Sequence, residues 1–527
     1  MQRSPAPPTG WEPELAELAE RKRLARRMGG PERVARQHAA GRLTVRERID
    51  RLLDPASFIE LGSIAGKARY DAAGRIAEFT PGNGLFGRGT IDGRKVVVFG
   101  DDFTVRGGSA DASIREKYQM PERMAAELRL PLIRLIEGSG GGGSVKTIET
   151  RGHANLPGGI GASSGLALCA MNMGLVPVVA LGLGSVAGLG AARLAASHYS
   201  LMVKGSSAVF VAGPPVVERL GERRGKQELG GHEVQVAAGT VDDAVESEDA
   251  AFARVRRFLS YLPSSVFDLP ARAPCGDSPE RREAFLIRAV PHDRRKAYNM
   301  RRIIAAVVDR GSFFEMAREY GRAIITGLAR LDGWPVALLA GDPLFQGGAW
   351  NAAASRKIRR FVDLAQTFHL PVVHLVDCYG FAVGLEAEST GTMREAVGAI
   401  AAIHQSSVPW CAVLIRNVFG VGGGAHVPHT QTAIRYAWPS GNWGSLPLEG
   451  GVEAAYRAEL AAAADPAAKL TEIEARLERL RSPFRTAEAF LIEEIIDPRD
   501  TRPLLCQFAN MAAPLRQTGI SRFTMRP

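Results

Sequence analysis

The stretch Val176 to Ala192, VPVVALGLGSVAGLGAA, decides the fold. A Val-Pro opens a short apolar run rich in β-branched residues, which reads as a buried strand. The run then breaks into glycines ahead of Ala-rich sequence able to start a helix. Val408 to Gly424, VPWCAVLIRNVFGVGGG, has the same plan, and Pro177 to Gly188 and Pro409 to Gly420 each span 11 residues. A helix leaves the N–H groups of its first turn without partners, so a strand that ends in glycine and feeds a helix aims N–H groups at one spot. Such a spot can hold an oxyanion.

A second pair of stretches lies upstream. VVVFGDDFTVRGGSADAS (96–113) reads as a strand and a glycine turn; an amphipathic helix then runs to Leu130-Pro131, and the strand PLIRLIE leads into GSGGGGS. Residues 336–385 repeat this order, with VALLAGDPLFQGGAWNAAAS, a helix through RKIRRFVDLAQTF, Leu370-Pro371 and the strand PVVHLVD. Gly107 to Pro131 and Gly347 to Pro371 both span 24 residues, at an offset of 240. Agreement of independent spacings means that one α/β unit occurs twice, each with parallel strands, right-handed crossovers and helices on the sheet. The expected organisation is a charged helical arm at 1–34, a domain at 35–265, a Pro- and charge-rich linker at 266–295 and a second domain at 296–527. Thr44-Val-Arg-Glu47 reads as a capping box, and KLTEIEARLERLRSPF near the end reads as a packing or oligomerisation helix.

Composition narrows the class. With 46% hydrophobic and 23% charged residues in a chain of 527, the protein is globular. No acidic or basic residue occurs between Arg151 and Arg193, but Pro157, Pro177 and many glycines interrupt that segment, which reads as buried α/β core and not as a membrane span. The first twenty residues carry Pro5, Pro7, Pro8 and Pro13 and four glutamates, unlike a secretory signal, so a cytoplasmic protein is expected. Cys169, Cys275, Cys378, Cys411 and Cys506 form no CxxC pair and read as reduced core thiols. Half of the net charge of +10 sits in residues 1–51, where 12 basic and 7 acidic residues interleave at helical spacing. That is a solvated helix or a docking arm for an acidic partner; no nucleic-acid motif accompanies it.

HExxH and GxxxxGK[ST] are absent. Gly161-Ala-Ser163-Ser-Gly165 fits the letters of a nucleophile elbow, but the preceding HANLPGGI is not the strand an elbow needs. His426 and His429, in HVPH, have a spacing able to bind metal but no further ligands nearby in sequence, so no metal is expected. What remains is paired backbone oxyanion holes, which stabilise charge developing on a carbonyl oxygen. A substrate that forms an enolate, as thioesters readily do, suits them.

AAGRLTVRERIDRLLDPASFIEL, DDFTVRGGS, SLMVKGSSAVFVAGPPVV, QELGG (227–231) and SRKIRRFVDLAQTFHLPVVHLVDCYGF together resemble the carboxyltransferase (β) subunit of biotin-dependent acyl-CoA carboxylases, of the propionyl-CoA and methylcrotonyl-CoA carboxylase type. The resemblance runs from about residue 15 to 505. It implies two tandem crotonase-like domains of the ββα-superhelix kind, assembled as a hexamer, with active sites where the first domain of one subunit meets the second domain of another. It implies that carboxybiotin on a separate carrier protein delivers its carboxyl group to the α-carbon of an acyl-CoA, the biotin ureido group taking the substrate proton. By resemblance, Gly188, Leu189 and Gly190 hold the thioester enolate oxygen, and Gly420, Val421 and Gly422 hold the biotin carbonyl. Gly107, Gly108, Gly347 and Gly348 line the two sides of the site. Asn351 falls where relatives carry an acid that affects acyl-chain choice.

The sequence departs from the family's pattern around the site. AGGA becomes Ala187-Gly188-Leu189-Gly190, and Val421 interrupts the second Gly-Gly; a positive φ at Leu189 or Val421 would strain those side chains. The family's DSGGAR loop is replaced by Glu137-Gly-Ser-Gly-Gly-Gly-Gly-Ser144, and DVPGF by Asp377-Cys378-Tyr379-Gly380-Phe381. The sequence has no AMKM-type biotin attachment motif and no ATP-grasp sequence, which assigns the carrier and the biotin carboxylase to other chains. Arg106, Lys117, Arg356 and Lys357 are candidates for the CoA phosphates. Two alternatives share these residues: the transferase subunit of an acyl-CoA decarboxylase, and a catalytically impaired scaffold that keeps the fold.

Overall fold

The structure, a computed structural model, describes residues 10–109, 112–139, 148–149, 152–154, 165–431 and 433–525. Ser163 and most of the glycine run after Glu137 lie outside these residues. The chain forms two compact units, Met1–Arg256 and Arg257–Pro527, and the division falls inside the helix Glu248–Ser260.

The first unit is built on β1 (Ile59–Leu61), β4 (Gly84–Ile91), β5 (Arg94–Asp101), β6 (Leu132–Gly138), β7 (Val178–Ala187), β8 (Tyr199–Val203) and β10 (Asp243–Val245), neighbours in that order, with β9 (Ala208–Phe210) also paired to β7. β1, β4 and β5 are antiparallel, and from β5 onward every pairing is parallel. A separate hairpin joins β2 (Gly66–Tyr70) to β3 (Ile76–Pro81). The second unit repeats the order with β11 (Phe314–Met316), β12 (Ile324–Leu331), β13 (Trp334–Gly341), β14 (Val372–Cys378), β15 (Trp410–Phe419), β16 (Ile434–Ala437) and β18 (Glu494–Ile495), with β17 (Asn442–Gly444) on β15. The repeat read from spacings is thus a repeat of topology.

The prolines that flagged the repeat start the parallel ladders. Proline lacks an N–H but keeps its carbonyl, so it suits the first position of a strand. Pro131 O accepts from Val97 N and Pro177 O from Leu132 N, each at 2.9 Å; Pro371 O and Pro409 O accept from Ala337 N and Val372 N at the same distance. Strands covered on both faces need apolar side chains in succession, and β6 and β14 are buried along their whole length. Phe99, Met124, Leu132 and Val178 form one core cluster of the first unit, and Ile136, Ala180, Leu194 and Met202 another. In the second unit Ile304, Leu338, Val373, Val413, Trp438 and Phe508 pack together.

The helix Glu12–Arg26 lies within the charged arm at 1–34, and a second helix, Pro31–Ala39, runs across its end. The capping box forms: Thr44 Oγ1 accepts from Glu47 N, and Glu47 Oε2 accepts from Thr44 N at 2.7 Å. The segment 266–295 is tied to the second unit through backbone, with Ala273 N donating to Gly333 O at 3.0 Å and Arg281 donating to Ala306 O and Val308 O at 2.8 and 2.9 Å. Among the described residues no helix is long and apolar enough to cross a membrane.

Candidate active site

In each unit the ladder between the two central parallel strands slips near its carboxyl end, between Ile136 and Gly138 in β6 and between Val376 and Cys378 in β14. The residue at each irregularity is a fully buried carboxylate, Glu137 or Asp377. A buried charge needs partners. Glu137 accepts from Gln37 Nε2 at 2.9 Å and from Arg42 Nη1 and Arg48 Nη1 at 2.6 Å each. Asp377 accepts from Tyr298 OH and Asn417 Nδ2 at 2.7 Å and lies 3.3 Å from Arg416 Nε. Burial pushes the Asp377 carboxyl up, and Arg416 pulls against that shift. Asp101, at the end of β5, is pushed up to about 6 by burial, opposed by the Arg193 cation; its Oδ1 accepts from Tyr118 OH at 2.8 Å. These carboxylates are the structural pegs of the strand ends, which the sequence reading passed over.

Onto these strand ends dock the first glycine pairs. Arg106–Gly108 and Gln346–Gly348 are short 3₁₀ turns with positive φ throughout: 55°, 63° and 65° in the first, 49°, 61° and 75° in the second. A Cβ at Gly108 would stand 2.7 Å from Glu137 O, and one at Gly348 would stand 2.2 Å from Asp377 O. These two glycines are therefore required by close packing of backbone on backbone. Gly107 faces open space, whereas a Cβ on Gly347 would stand 2.8 Å from the Tyr379 ring.

The second glycine pairs lie one strand over. β7 ends at Ala187, Gly188 takes φ 57° and ψ −122°, and the helix Leu189–Ala195 begins. β15 ends at Phe419, Gly420 takes φ 58°, and the helix Gly420–Gly424 follows. The positive φ falls on the glycines, and Leu189 and Val421 are not among the residues with positive φ. The replacement of family glycines by Leu and Val is thus accommodated without backbone strain. Not every N–H in the first turn is available: Gly188 N donates to Phe210 O at 3.3 Å and Gly190 N to Ser139 O at 3.1 Å. Leu189 N, at the first helical position, has no acceptor within the helix. In the second turn Gly420 and Val421 are exposed, while Gly422 is buried under Phe381. Tyr379 stacks on Phe419 with ring centroids 5.8 Å apart, so the change from DVPGF to DCYGF puts an aromatic wall between Gly347 and the second turn.

Asn351 has a local role, and two of the four candidates for the CoA phosphates are buried. Asn351 caps the helix Ala352–Thr367, its Oδ1 accepting from Ala354 N at 2.9 Å and its Nδ2 donating to Gln346 Oε1 at 3.2 Å. Lys357 is buried and spends its ammonium on the carbonyls of Ala317, Tyr320 and Ile324 at 2.8, 2.9 and 2.7 Å. Lys117 donates to Gly62 O at 3.0 Å, and burial lowers its pKa. Neither lysine is presented to a phosphate; Arg106 and Arg356 remain exposed. His426 and His429 turn their rings to carbonyls of the glycine turn, and no metal-binding cluster exists among the described residues.

A family model described as carboxyl transferase domain matches residues 36–524. The propionyl-CoA carboxylase carboxyltransferase subunit of Haloferax mediterranei is 32% identical over 519 residues, covering 96% of this chain and 97% of its own. The methylmalonyl-CoA decarboxylase subunit alpha of Veillonella parvula is 30% identical over 497 residues, covering 93% and 94%. Among solved structures, a hexameric transcarboxylase 12S with methylmalonyl-coenzyme A and methylmalonic acid bound superposes with a TM-score of 0.85 at 29% identity, covering 99% of both chains. The duplicated crotonase-like topology, the paired glycine turns and these likenesses converge, and the chain belongs to the carboxyl transferase domain family as a biotin-dependent acyl-CoA carboxyltransferase.

Proposed function

We propose that this chain moves a carboxyl group from carboxybiotin on a separate carrier protein to the α-carbon of an acyl-CoA, the first glycine turn holding the thioester oxygen and the second holding the biotin carbonyl. The observation that carries the proposal is the matched pair of turns, in which φ near +57° at Gly188 and Gly420 redirects the chain from the end of a buried strand into a short helix, whose first N–H groups lack acceptors within the helix. Leu189 N–H strengthens its hydrogen bond as charge develops on the thioester oxygen, which lowers the barrier to an enolate. The second turn fits a neutral ureido carbonyl. Its exposed residues, Gly420 and Val421, carry no charge, and Gly347 leaves a space beside Tyr379 that a Cβ would fill. Carboxybiotin, when bound, supplies the carboxyl group and a ureido nitrogen that takes the substrate proton. A biotin carboxylase and its carrier are the expected partner chains, and a homohexamer is the expected assembly.

The test runs the reaction backwards, mixing the purified protein with free biotin and a panel of malonyl-, methylmalonyl- and larger carboxyacyl-CoAs. Biotin-dependent loss of the carboxyl group from one member is the expected result and names the acyl group. No turnover across the panel and with carrier-bound biotin, by an intact assembly, would refute the proposal and leave a scaffold.

A further inference from the structure

The two glycine turns are held in different ways. The helix after Gly188 is LGAARLA, whose alanines and leucines have high helix propensity. The helix Gly420–Gly424 reads GVGGG, and each glycine disfavours a helix by about 1 kcal/mol relative to alanine. Its conformation therefore has to be imposed from outside, and its carbonyls show how. Gly422 O accepts from Ala425 N at 3.3 Å, Gly423 O from the His426 ring through Nδ1 at 2.7 Å, and Gly424 O from His429 Nε2 at 3.1 Å. His426 is 8% exposed. Its own carbonyl is held by two further buried side chains, accepting from Trp410 Nε1 at 2.9 Å and from His374 Nδ1 at 3.0 Å. Trp410 and His374 lie on the central strands β15 and β14. A chain of hydrogen bonds thus runs from the sheet, through the backbone and ring of His426, to the turn.

We infer that His426 is a positioning residue of the second glycine turn: its Nδ1–H, anchored to the sheet through Trp410 and His374, fixes the orientation of the Gly420–Gly422 N–H groups for the biotin carbonyl. This rests on the assignment of that turn to biotin given above. Burial pushes the imidazoles of His426 and His374 down to about 4 and about 3, so both rings are neutral near pH 7. A neutral ring carries one proton, and donation to Gly423 O places it on Nδ1 of His426. The other ring nitrogen, Nε2, is buried and has no partner among the described residues, so the ring is oriented by what Nδ1 does and not by a bond on its far side.

The test separates the two nitrogens. Asparagine keeps an N–H donor at the position of Nδ1; glutamine moves its donor outward. In the biotin-dependent decarboxylation of whichever carboxyacyl-CoA the native enzyme accepts, His426→Gln is expected to raise KM for free biotin about tenfold, the loss of one well-placed hydrogen bond, with KM for the CoA ester changed less than about twofold. His426→Asn is expected to bring the biotin KM back to within about threefold of native. Equal behaviour of the Asn and Gln enzymes, or a parallel rise in both KM values, would overturn the inference. If the Gln enzyme does not assemble, Trp410→Phe, which removes one of the two donors that hold the His426 carbonyl, carries the test; a rise confined to the biotin KM supports the inference and an unchanged one overturns it. Native enzyme without biotin-dependent turnover defeats the functional proposal and this inference together, whereas native turnover with a silent His426→Gln defeats the inference alone.

Discussion

Leu189→Pro isolates one backbone donor. Leu189 is the first residue of its helix, and its N–H has no acceptor four residues back within the helix. Proline is well tolerated at that position, because its fixed φ suits the helix and the missing N–H serves no intrahelical bond. The residue before it, Gly188, has the conformational latitude that a following proline demands. The bonds that shape the turn, Gly188 N to Phe210 O and Gly190 N to Ser139 O, are untouched. Trimming the half-buried leucine side chain leaves a stability change within about 1 kcal/mol. Catalysis should behave otherwise: loss of one oxyanion donor costs about a hundred- to a thousandfold in kcat, or about 3 to 4 kcal/mol of transition-state stabilisation. The assay is steady-state decarboxylation with free biotin, alongside thermal unfolding and a sizing column. A folded, native-sized variant with kcat within about threefold of native would refute the role given to the first turn.

The four glycines of the 3₁₀ turns separate by what surrounds them. Gly348→Ala would push a Cβ to 2.2 Å from Asp377 O at φ 75° and should destabilise the second unit by more than about 3 kcal/mol, whereas Gly107→Ala, at φ 63° with nothing within 4 Å, should cost only about 1 kcal/mol; denaturant midpoints measure the difference. Asp101 gives a pH signature. Its carboxyl is raised from 3.8 to about 6, so the folded state binds the extra proton in that window, and stability falls as pH rises from about 4 to about 6 by roughly 3 kcal/mol from this group. Asp101→Asn should flatten that part of the stability profile, read as unfolding midpoints at about pH 4.5, near the lower end of the window, and about pH 6.5, just beyond its upper end.

Much of this was legible in the chain itself because local chemistry and tertiary role coincide. The Val-Pro pairs mark strand starts since only the proline carbonyl is needed there, and glycine at 188 and 420 marks a backbone angle that other residues avoid. What escaped the sequence depends on partners far along the chain. Gly108 and Gly348 look like the same flexible punctuation as Gly107, and only the approach of a strand 29 residues on makes them obligatory. Lys357 sits among basic residues on an amphipathic helix and reads as surface, yet three carbonyls from a separate loop and strand enclose its ammonium. Asn351 was read only by resemblance, and its local role as a helix cap was not noticed. Glu137 and Asp377 were hidden because β6 and β14 are buried along their whole length, so no alternation of polar and apolar positions marks which way their side chains point. The β2–β3 hairpin was missed for a similar reason, since its exposed, charged strands lack an apolar stripe.

Arg48 has a consequence for how the protein is made. Its guanidinium reaches Glu137, 89 residues away, and Glu248, 200 residues away, while Arg42 and Gln37 reach Glu137 from the same short segment. The first unit therefore draws the counter-charge for its central strand from the beginning of the chain and closes that network with nearly its last helix. On a ribosome, which releases the chain from its amino end, the carboxylate of Glu137 emerges with its cations already made, but the second anion that Arg48 requires appears only some hundred residues later. Such long-range closure delays the native arrangement. Completion of this buried network thus waits on the synthesis of residue 248.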